Sequence, residues 1–313
     1  SFSGASEASA LLTVGPVSGL TVSLCEKTLH LVIKTEDTQW ETESSLRPAV
    51  VTEKEEIDFA RWQKITHETV KTGYGRGIHS SYRSLDGRED SYAFDTLCWI
   101  EETGEEPEEG CAGKVHFEWI PICEQGLSVK EVRWPVPMAF SEADAGESAA
   151  EGEAAAEGQK YGAGESGAGA PRWYTLINEG QGMLLPNGWE KEVNALSFRG
   201  QFLTAGGYMP WFGQVKEKHG YIAIADTPWN AGAYVDHPAG GPYTHIGIWW
   251  EPSLGRMDYR RSATYAFLDD CDHNDLCRIY RVYAKQTGKL VTLKEKAARV
   301  PSVEKLYGCA FVH

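Results

Sequence analysis

Residues 20–35 read LTVSLCEKTLHLVIKT, with apolar side chains at Leu20, Val22 and Leu24 and again at Leu29, Leu31 and Ile33. Apolar residues at every second position turn one face of an extended strand toward a core and the other toward water, a spacing that fits no helix. Glu26 and Lys27 fall between the two runs, where a hairpin would turn. Strand-like stretches follow at 63–70, 78–82, 94–100, 114–122 and 128–135, parted by glycines and acidic residues. Short strands at such spacing predict an antiparallel sandwich.

A chain of 313 residues, 42% of them hydrophobic, has material for a large core in one big domain or two medium ones. No apolar run reaches the roughly 18 residues of a membrane helix. The N-terminal SFSGASEASALLTVG has no basic segment ahead of an apolar block, so no membrane partner is expected and no export signal is visible, with earlier removal of one left open. The formal charge of −15 is concentrated: residues 101–109, EETGEEPEE, carry −6, and residues 142–170, seven acids against Lys160, carry another −6. Such runs read as solvated loops. Nucleic acid is not an expected partner, because no basic patch with interleaved aromatics is present to neutralise phosphates. Residues 142–170 are built almost wholly of Ala, Gly, Glu and Ser and read as a disordered insertion inside one sheet system. The strand pattern resumes at once with YTLINEGQGMLLPNGW, where Gly180-Gln181-Gly182 makes a turn. Seven cysteines without CxxC spacing fit neither a disulfide framework nor a zinc ribbon. They read as mostly buried free thiols in a reducing, cytoplasmic compartment, with secretion left open.

Past residue 208 the aromatics crowd together, and residues 220–225, 244–250 and 260–268 read as neighbouring strands of one sheet. A helix is expected over about 274–287, started by Asp272, His273 or Asn274 and closed by Gly288, with Leu276, Ile279, Tyr280 and Tyr283 on one face. DCDHND (270–275) begins like a calcium loop and then fails, with Asp275 where the turn needs Gly and Arg281 where a bidentate Glu belongs. Cys271, His273 and Cys277 lack a fourth zinc ligand nearby. No metal and no cofactor is expected. KTGYGRGIH has no phosphate-loop Lys-Ser/Thr, and no GxSxG elbow supports a serine nucleophile.

The stretch GYIAIADTPWNAGAYVDHP (220–238) begins as a strand and gives way, over 226–238, to a strand-end loop carrying a polar and aromatic set. Sugars are held by a stacking indole face together with planar amide or carboxylate partners. On that chemistry Trp211, Asp226, Trp229, Asn230, Asp236, His237 and Trp249 are the candidate carbohydrate-binding residues. The competing reading is that the tryptophans fill the core, although Trp249 and Trp250, being consecutive on a strand, face opposite sides. Glycoside hydrolysis needs two carboxylates, and Asp226, Asp236, Glu251 and Asp258 are available. The sequence does not say whether any two face each other, so catalytic residues stay unassigned.

GYMPWFG, GYIAIADTPWNAG, WWEPSLGRMDYRRSATYAFL, CRIYRVYAKQTGKLVTLKEKAARVPSVEKLYGCAFVH and the earlier YTLINEGQGMLLPNGW resemble the N-terminal β-supersandwich region of bacterial glycoside hydrolases. The group is the endo-α-N-acetylgalactosaminidase-like one, with its related α-N-acetylgalactosaminidase family. The resemblance covers roughly residues 172–313, and the first 140 only by strand pattern. It implies a mainly β fold: an antiparallel, galactose-mutarotase-like supersandwich over 1–271, then a helical connector over 272–305. Residues 306–313 would be the first strand of a (β/α)8 barrel that is otherwise absent. In that group the catalytic acids lie on the barrel and have no counterpart here. The function implied is a carbohydrate-associated module rimming a sugar cleft, with a glycan and the missing C-terminal barrel, or a neighbouring chain, as partners. A free-standing carbohydrate-binding protein and a small glycosidase using carboxylates within 226–258 are the alternatives.

Overall fold

The computed structural model describes residues 10–88, 92–102, 111–124, 126–141, 173–179, 182–194, 199–203 and 207–309. The expected insertion at 142–170, residues 180 and 181 of the glycine turn, and residues 310–313 of the expected last strand lie outside these.

The elements run β1 (Leu11–Val17), β2 (Leu20–Cys25), β3 (Leu31–Lys34), β4 (Gln39–Thr42), β5 (Ala49–Thr52), β6 (Glu56–Asp58), β7 (Trp62–Lys71), β8 (Gly75–Leu85), β9 (Ala93–Glu101) and β10 (Cys111–Cys123). There follow β11 (Val129–Arg133), β12 (Met138–Ser141), β13 (Trp173–Ile177), β14 (Met183–Pro186), β15 (Arg199–Gln201), β16 (Trp211–Lys216), β17 (His219–Ala225), β18 (Ala231–Asp236), β19 (His245–Trp250) and β20 (Arg261–Leu268). Helices α1 (His273–Gln286) and α2 (Leu293–Arg299) and a 3₁₀ turn at Pro301–Leu306 close the described chain, and residues 307–309 form a turn.

Nine strands make one antiparallel sheet in the order β14-β13-β16-β17-β20-β10-β9-β8-β7. A five-stranded sheet, β1-β2-β3-β4-β12, and a six-stranded one, β15-β18-β19-β11-β5-β6, supply the facing layer. The core lies between them. Trp40 of β4 meets Tyr221 of β17 edge to face at 4.9 Å, and Phe117 of β10 meets Trp134 at 5.5 Å. Such aromatic pairs contribute about 0.5–1.5 kcal/mol each beyond their burial.

Alternation explains the strands. In β2, Leu20, Val22 and Leu24 point inward, as their spacing predicts, and Leu24 pairs with Leu31 across the hairpin. Residues 221–225 of β17 are apolar throughout because both faces of the strand are covered there. Tyr221, Ala223 and Ala225 join the sandwich core, while Ile222 and Ile224 join a second cluster on the outer face of the nine-stranded sheet. There α1 docks through Leu276 and Ile279, and the same cluster holds Leu176, Trp211, Val215 and Leu268. The expected helix start is observed as a capping box: Asp272 accepts from the backbone of Asn274 and Asp275, and Asp275 accepts from Asp272 N–H. Gly288, at φ +70, follows the end of the helix.

Three sequence expectations are corrected. Residues 244–250 do not sit beside β17 and β20; β19 pairs with β18 in the facing sheet. Residues 231–236 are not loop but strand β18, whose Ala-Gly-Ala start carries little apolar signal. Neighbouring strands supply what it lacks: the Trp249 ring lies over Gly232, and Tyr234 lies over Gly247. Of the six cysteines whose side chains are described, none forms a disulfide, but only Cys98 and Cys271 are buried, and Cys277 and Cys309 are exposed. Among the described residues no helix is long and apolar enough to cross a membrane.

Candidate functional site

The ends of β9, β10, β17, β18, β19 and β20 meet at one edge of the sandwich. The register fixes this, pairing Ala225 with Ala263, Trp119 with both Arg261 and Thr96, and Ala231 with Trp250. At this edge β17 leaves its sheet at Asp226 and the chain crosses to the facing sheet, which it enters at Ala231. The crossing is short and pinned. Asp226 N–H and the Thr227 side chain both engage Ser262. Asn230 takes the left-handed conformation at φ 57, which Asn tolerates better than most residues.

Trp229 points outward, 68% exposed, yet its backbone is held: the Tyr259 hydroxyl lies 2.8 Å from Trp229 O and 3.2 Å from Asn230 Oδ1. The Tyr259 ring is itself fixed by the Arg261 guanidinium stacked 3.2 Å from its centroid. Arg261 is fully buried and donates to the carbonyls of Tyr259 (2.7 Å) and Glu251 (2.9 Å). The result is an exposed indole on a rigid mount.

Asp226 turns the other way, into a cleft of about 360 Å³ between α1 and the nine-stranded sheet, where Glu101, Lys114, His116, Glu118, Thr264 and Tyr283 also face. A hydrogen-bonded chain crosses it. Thr264 donates to Asp226 Oδ2 at 2.8 Å, so with its one proton committed its oxygen accepts from Nδ1 of His116, 2.9 Å away. His116 Nε2 lies 3.1 Å from Glu101 Oε2, and the imidazole stacks on Trp99 at 4.1 Å. From the helix side Tyr283 reaches Asp226, and Lys289 donates to the Tyr283 oxygen at 3.0 Å. Burial, helped by the Asp226 carboxylate, holds the Tyr283 hydroxyl well above its ordinary range. The hydrogen bond from His116 holds the Glu101 carboxyl below its usual value despite burial. Chemically, then, Glu101 has no proton to give near neutral pH and Asp226 is an acceptor for two hydroxyls. The cleft offers a set of hydrogen-bonding groups.

The structure thus holds Trp229 and Asn230 together on Tyr259, turns Asp226 away into the cleft under α1, and separates the other candidates from both. Asp236 lies at the far end of β18, about 17 Å of strand away. There Tyr243 donates to it at 3.4 Å and stacks on His245 at 4.0 Å. His237 is fully buried, its ring nitrogens beside Trp189 O, Tyr243 O and the Thr244 hydroxyl, and so serves the fold. Trp211 is buried under α1, stacked on Tyr280 at 5.7 Å, and Trp249 is buried over Gly232. These three have no free surface for a sugar within the described residues, because the fold needs their bulk.

No family model matches the chain, and no curated protein matches it. Among solved structures it resembles alpha-N-acetylgalactosaminidase NagBb from Bifidobacterium bifidum in its GalNAc complex, with a TM-score of 0.79 and 40% identity over 96% of this chain and 43% of that one. The Gal-NHAc-DNJ complex of NagBb gives the same score and identity over 42% of its length, and the ligand-free form gives 0.75 and 39% over 94% of this chain. This chain is a glycoside-hydrolase-related domain. It spans less than half the length of NagBb.

In this glycoside-hydrolase-related domain the residues that sequence reasoning missed are Glu101, His116, Tyr259, Tyr283 and Arg261. They come from strands, a loop and a helix far apart in the chain, and the sheet register together with the docking of α1 assembles them. Glu101 and three titratable groups elsewhere in the fold set an acid limit. Glu101 is held low, and in Asp95 the bonds from Arg83 and His79 outweigh burial, which alone would raise it. A lowered carboxylate contributes stability that is full above its ordinary value, 4.5 for Glu101, and is lost as pH falls through the folded value. His67 and His245 are lowered by burial from an ordinary 6.5, so their contribution is full above that pH and is also lost on acidification. The urea midpoint is therefore expected to fall as pH drops from about 7 and to fall faster below about 4.5. A midpoint unchanged between those values would contradict the assignment.

Proposed function

We propose that the chain is the N-terminal, carbohydrate-associated β-sandwich module of a glycoside hydrolase acting on N-acetylgalactosaminides. The Asp226–Trp229–Asn230 corner rims a sugar-binding cleft, and the catalytic acids belong to a following (β/α)8 barrel. The observation that carries the reading is Trp229, an exposed indole mounted rigidly beside hydrogen-bonding side chains in a domain 40% identical to part of an enzyme crystallised with GalNAc. A barrel partner also suits residues 290–307, where Leu290, Leu293, Val300, Leu306 and Tyr307 present apolar side chains to solvent.

The test is tryptophan fluorescence during titration with N-acetylgalactosamine. A saturable change with a Kd on the order of millimolar is expected, since one stacked ring and a few hydrogen bonds amount to about 4 kcal/mol. Trp229→Ala abolishes it while leaving stability within about 0.5 kcal/mol, as for other surface changes. An identical titration curve from wild type and variant would remove the sugar rim from Trp229.

A further inference from the structure

Strands β15 and β19 flank β18, and their ends carry polar side chains to the foot of the Trp229 mount. Ala231 pairs with Trp250, and both belong to the sandwich core. The pairing continues one residue past the strands, with Glu251 N–H donating to Asn230 O at 2.6 Å. Side chains alternate along a strand, so Glu251, next to the core-facing Trp250, projects from the outer face of the sheet. Gln201 of β15, opposite Gly232, reaches the same place: its amide nitrogen lies 3.4 Å from Glu251 Oε2. Both side chains are half-buried and sit beside Asn230.

Asn230 has one amide orientation that satisfies its neighbours. The Tyr259 hydroxyl has a single proton and stands nearer the Trp229 carbonyl, at 2.8 Å, than the Asn230 amide, at 3.2 Å. With that proton on Trp229 O, an amide oxygen at 3.2 Å would face the lone pairs of the phenol. The atom toward Tyr259 is therefore the amide nitrogen, because O and N of an amide are told apart by their hydrogen bonds. Oδ1 then points away from Tyr259, where it can only accept.

Two acceptors, the Glu251 carboxylate and Asn230 Oδ1, thus stand beside an exposed indole. An anion would meet the carboxylate. A cation gains little, because the Arg261 guanidinium, donating to the Glu251 carbonyl at 2.9 Å, already supplies the counter-charge. An apolar ligand would cover both acceptors without a donor for either. A neutral ring with neighbouring hydroxyls and one apolar face suits all three groups. We propose that Glu251, with Asn230 Oδ1, is the hydroxyl-accepting half of the site at Trp229, taking a neutral pyranose that presents two neighbouring hydroxyl groups. One hydroxyl donates to Glu251 and the other to Asn230, while Gln201 holds the carboxylate in place. The inference rests on the carbohydrate reading above and gives that site an anchor other than Asp226, which faces the cleft under α1.

The experiment is the fluorescence titration of the full chain with N-acetylgalactosamine, repeated on Glu251→Gln and Asn230→Gly. Glu251→Gln keeps the shape but loses the charge-assisted acceptor, so Kd rises about tenfold. Asn230→Gly accepts the left-handed φ of 57 at this position, loses one neutral acceptor, and raises Kd about fivefold. Both variants keep the wild-type circular dichroism spectrum and reach the wild-type signal at saturating sugar, since the indole is intact. Tetramethylammonium, a cation without hydroxyl groups, leaves the signal unchanged. Wild-type affinity in both variants, or a tetramethylammonium response that Glu251→Gln abolishes, overturns the assignment of Glu251 alone, with the sugar response of Trp229 still standing. No sugar response from the wild-type chain overturns it together with the carbohydrate reading.

Discussion

Trp211→Ala is expected to cost about 3–5 kcal/mol of stability, the range for deleting a large buried aromatic side chain. Trp211 is 6% exposed, belongs to the outer cluster that holds α1, and stacks on Tyr280. Its removal leaves a hole where Leu276 and Ile279 lean on the sheet, so α1 should loosen first. Trp211→Phe is the informative control. The indole N–H has no partner among the described residues, so Phe removes an unsatisfied donor while keeping a ring, and the loss should be much smaller. Chemical unfolding followed by far-UV circular dichroism measures both. A Trp211→Ala protein as stable as wild type would mean that α1 is not held by this cluster.

Arg261→Ala is the second large effect. The guanidinium is fully buried and donates to the carbonyls of Glu251 and Tyr259, which ties the two ends of the loop before β20. Without it two carbonyls lose a buried donor, at about 1–3 kcal/mol each, and Tyr259 loses the cation beneath its ring. Arg261→Lys should not rescue, since an ammonium is a point charge without the planar fork that serves both carbonyls. Thermal unfolding, with limited proteolysis at 251–260, checks this. Equal stability of the Lys variant and wild type would show that charge alone suffices.

Much of the scaffold is legible in the sequence. Alternation in 20–35 marks a hairpin that forms, and the Asp272 cap with the i, i+3, i+4 face places α1 to within a residue. What periodicity does not encode is partnership. The runs YIAIA and HIGIWW look alike because each is covered on both faces, yet they belong to different sheets. Strand β18 escapes notice for a related reason: Gly232 carries no side chain, and its strand is completed by the ring of Trp249. The site divides along the same line. Trp229 and Asn230, adjacent in sequence, share the Tyr259 mount, while Asp226 three residues earlier faces the cleft under α1. His237 and Trp249 carry the right chemistry but are consumed by the interior, a matter of tertiary burial that no local pattern reports. Glu101, His116 and Thr264 become neighbours only through the register of β9, β10 and β20.

The central claim, a sugar-binding module whose chemistry resides elsewhere, is tested most directly by assaying the chain for turnover of aryl N-acetylgalactosaminides, galactosides and glucosides. Parallel assays use Asp226→Asn, Asp236→Asn and Glu251→Gln. The account predicts binding of N-acetylgalactosamine and no hydrolysis in any of the four proteins, since the Asp226 carboxylate already accepts from Thr264 and Tyr283, and Asp236 stands at the other end of β18. Robust hydrolysis by the wild-type chain, lost in two of the three variants, would contradict it and place a catalytic carboxylate pair inside the sandwich.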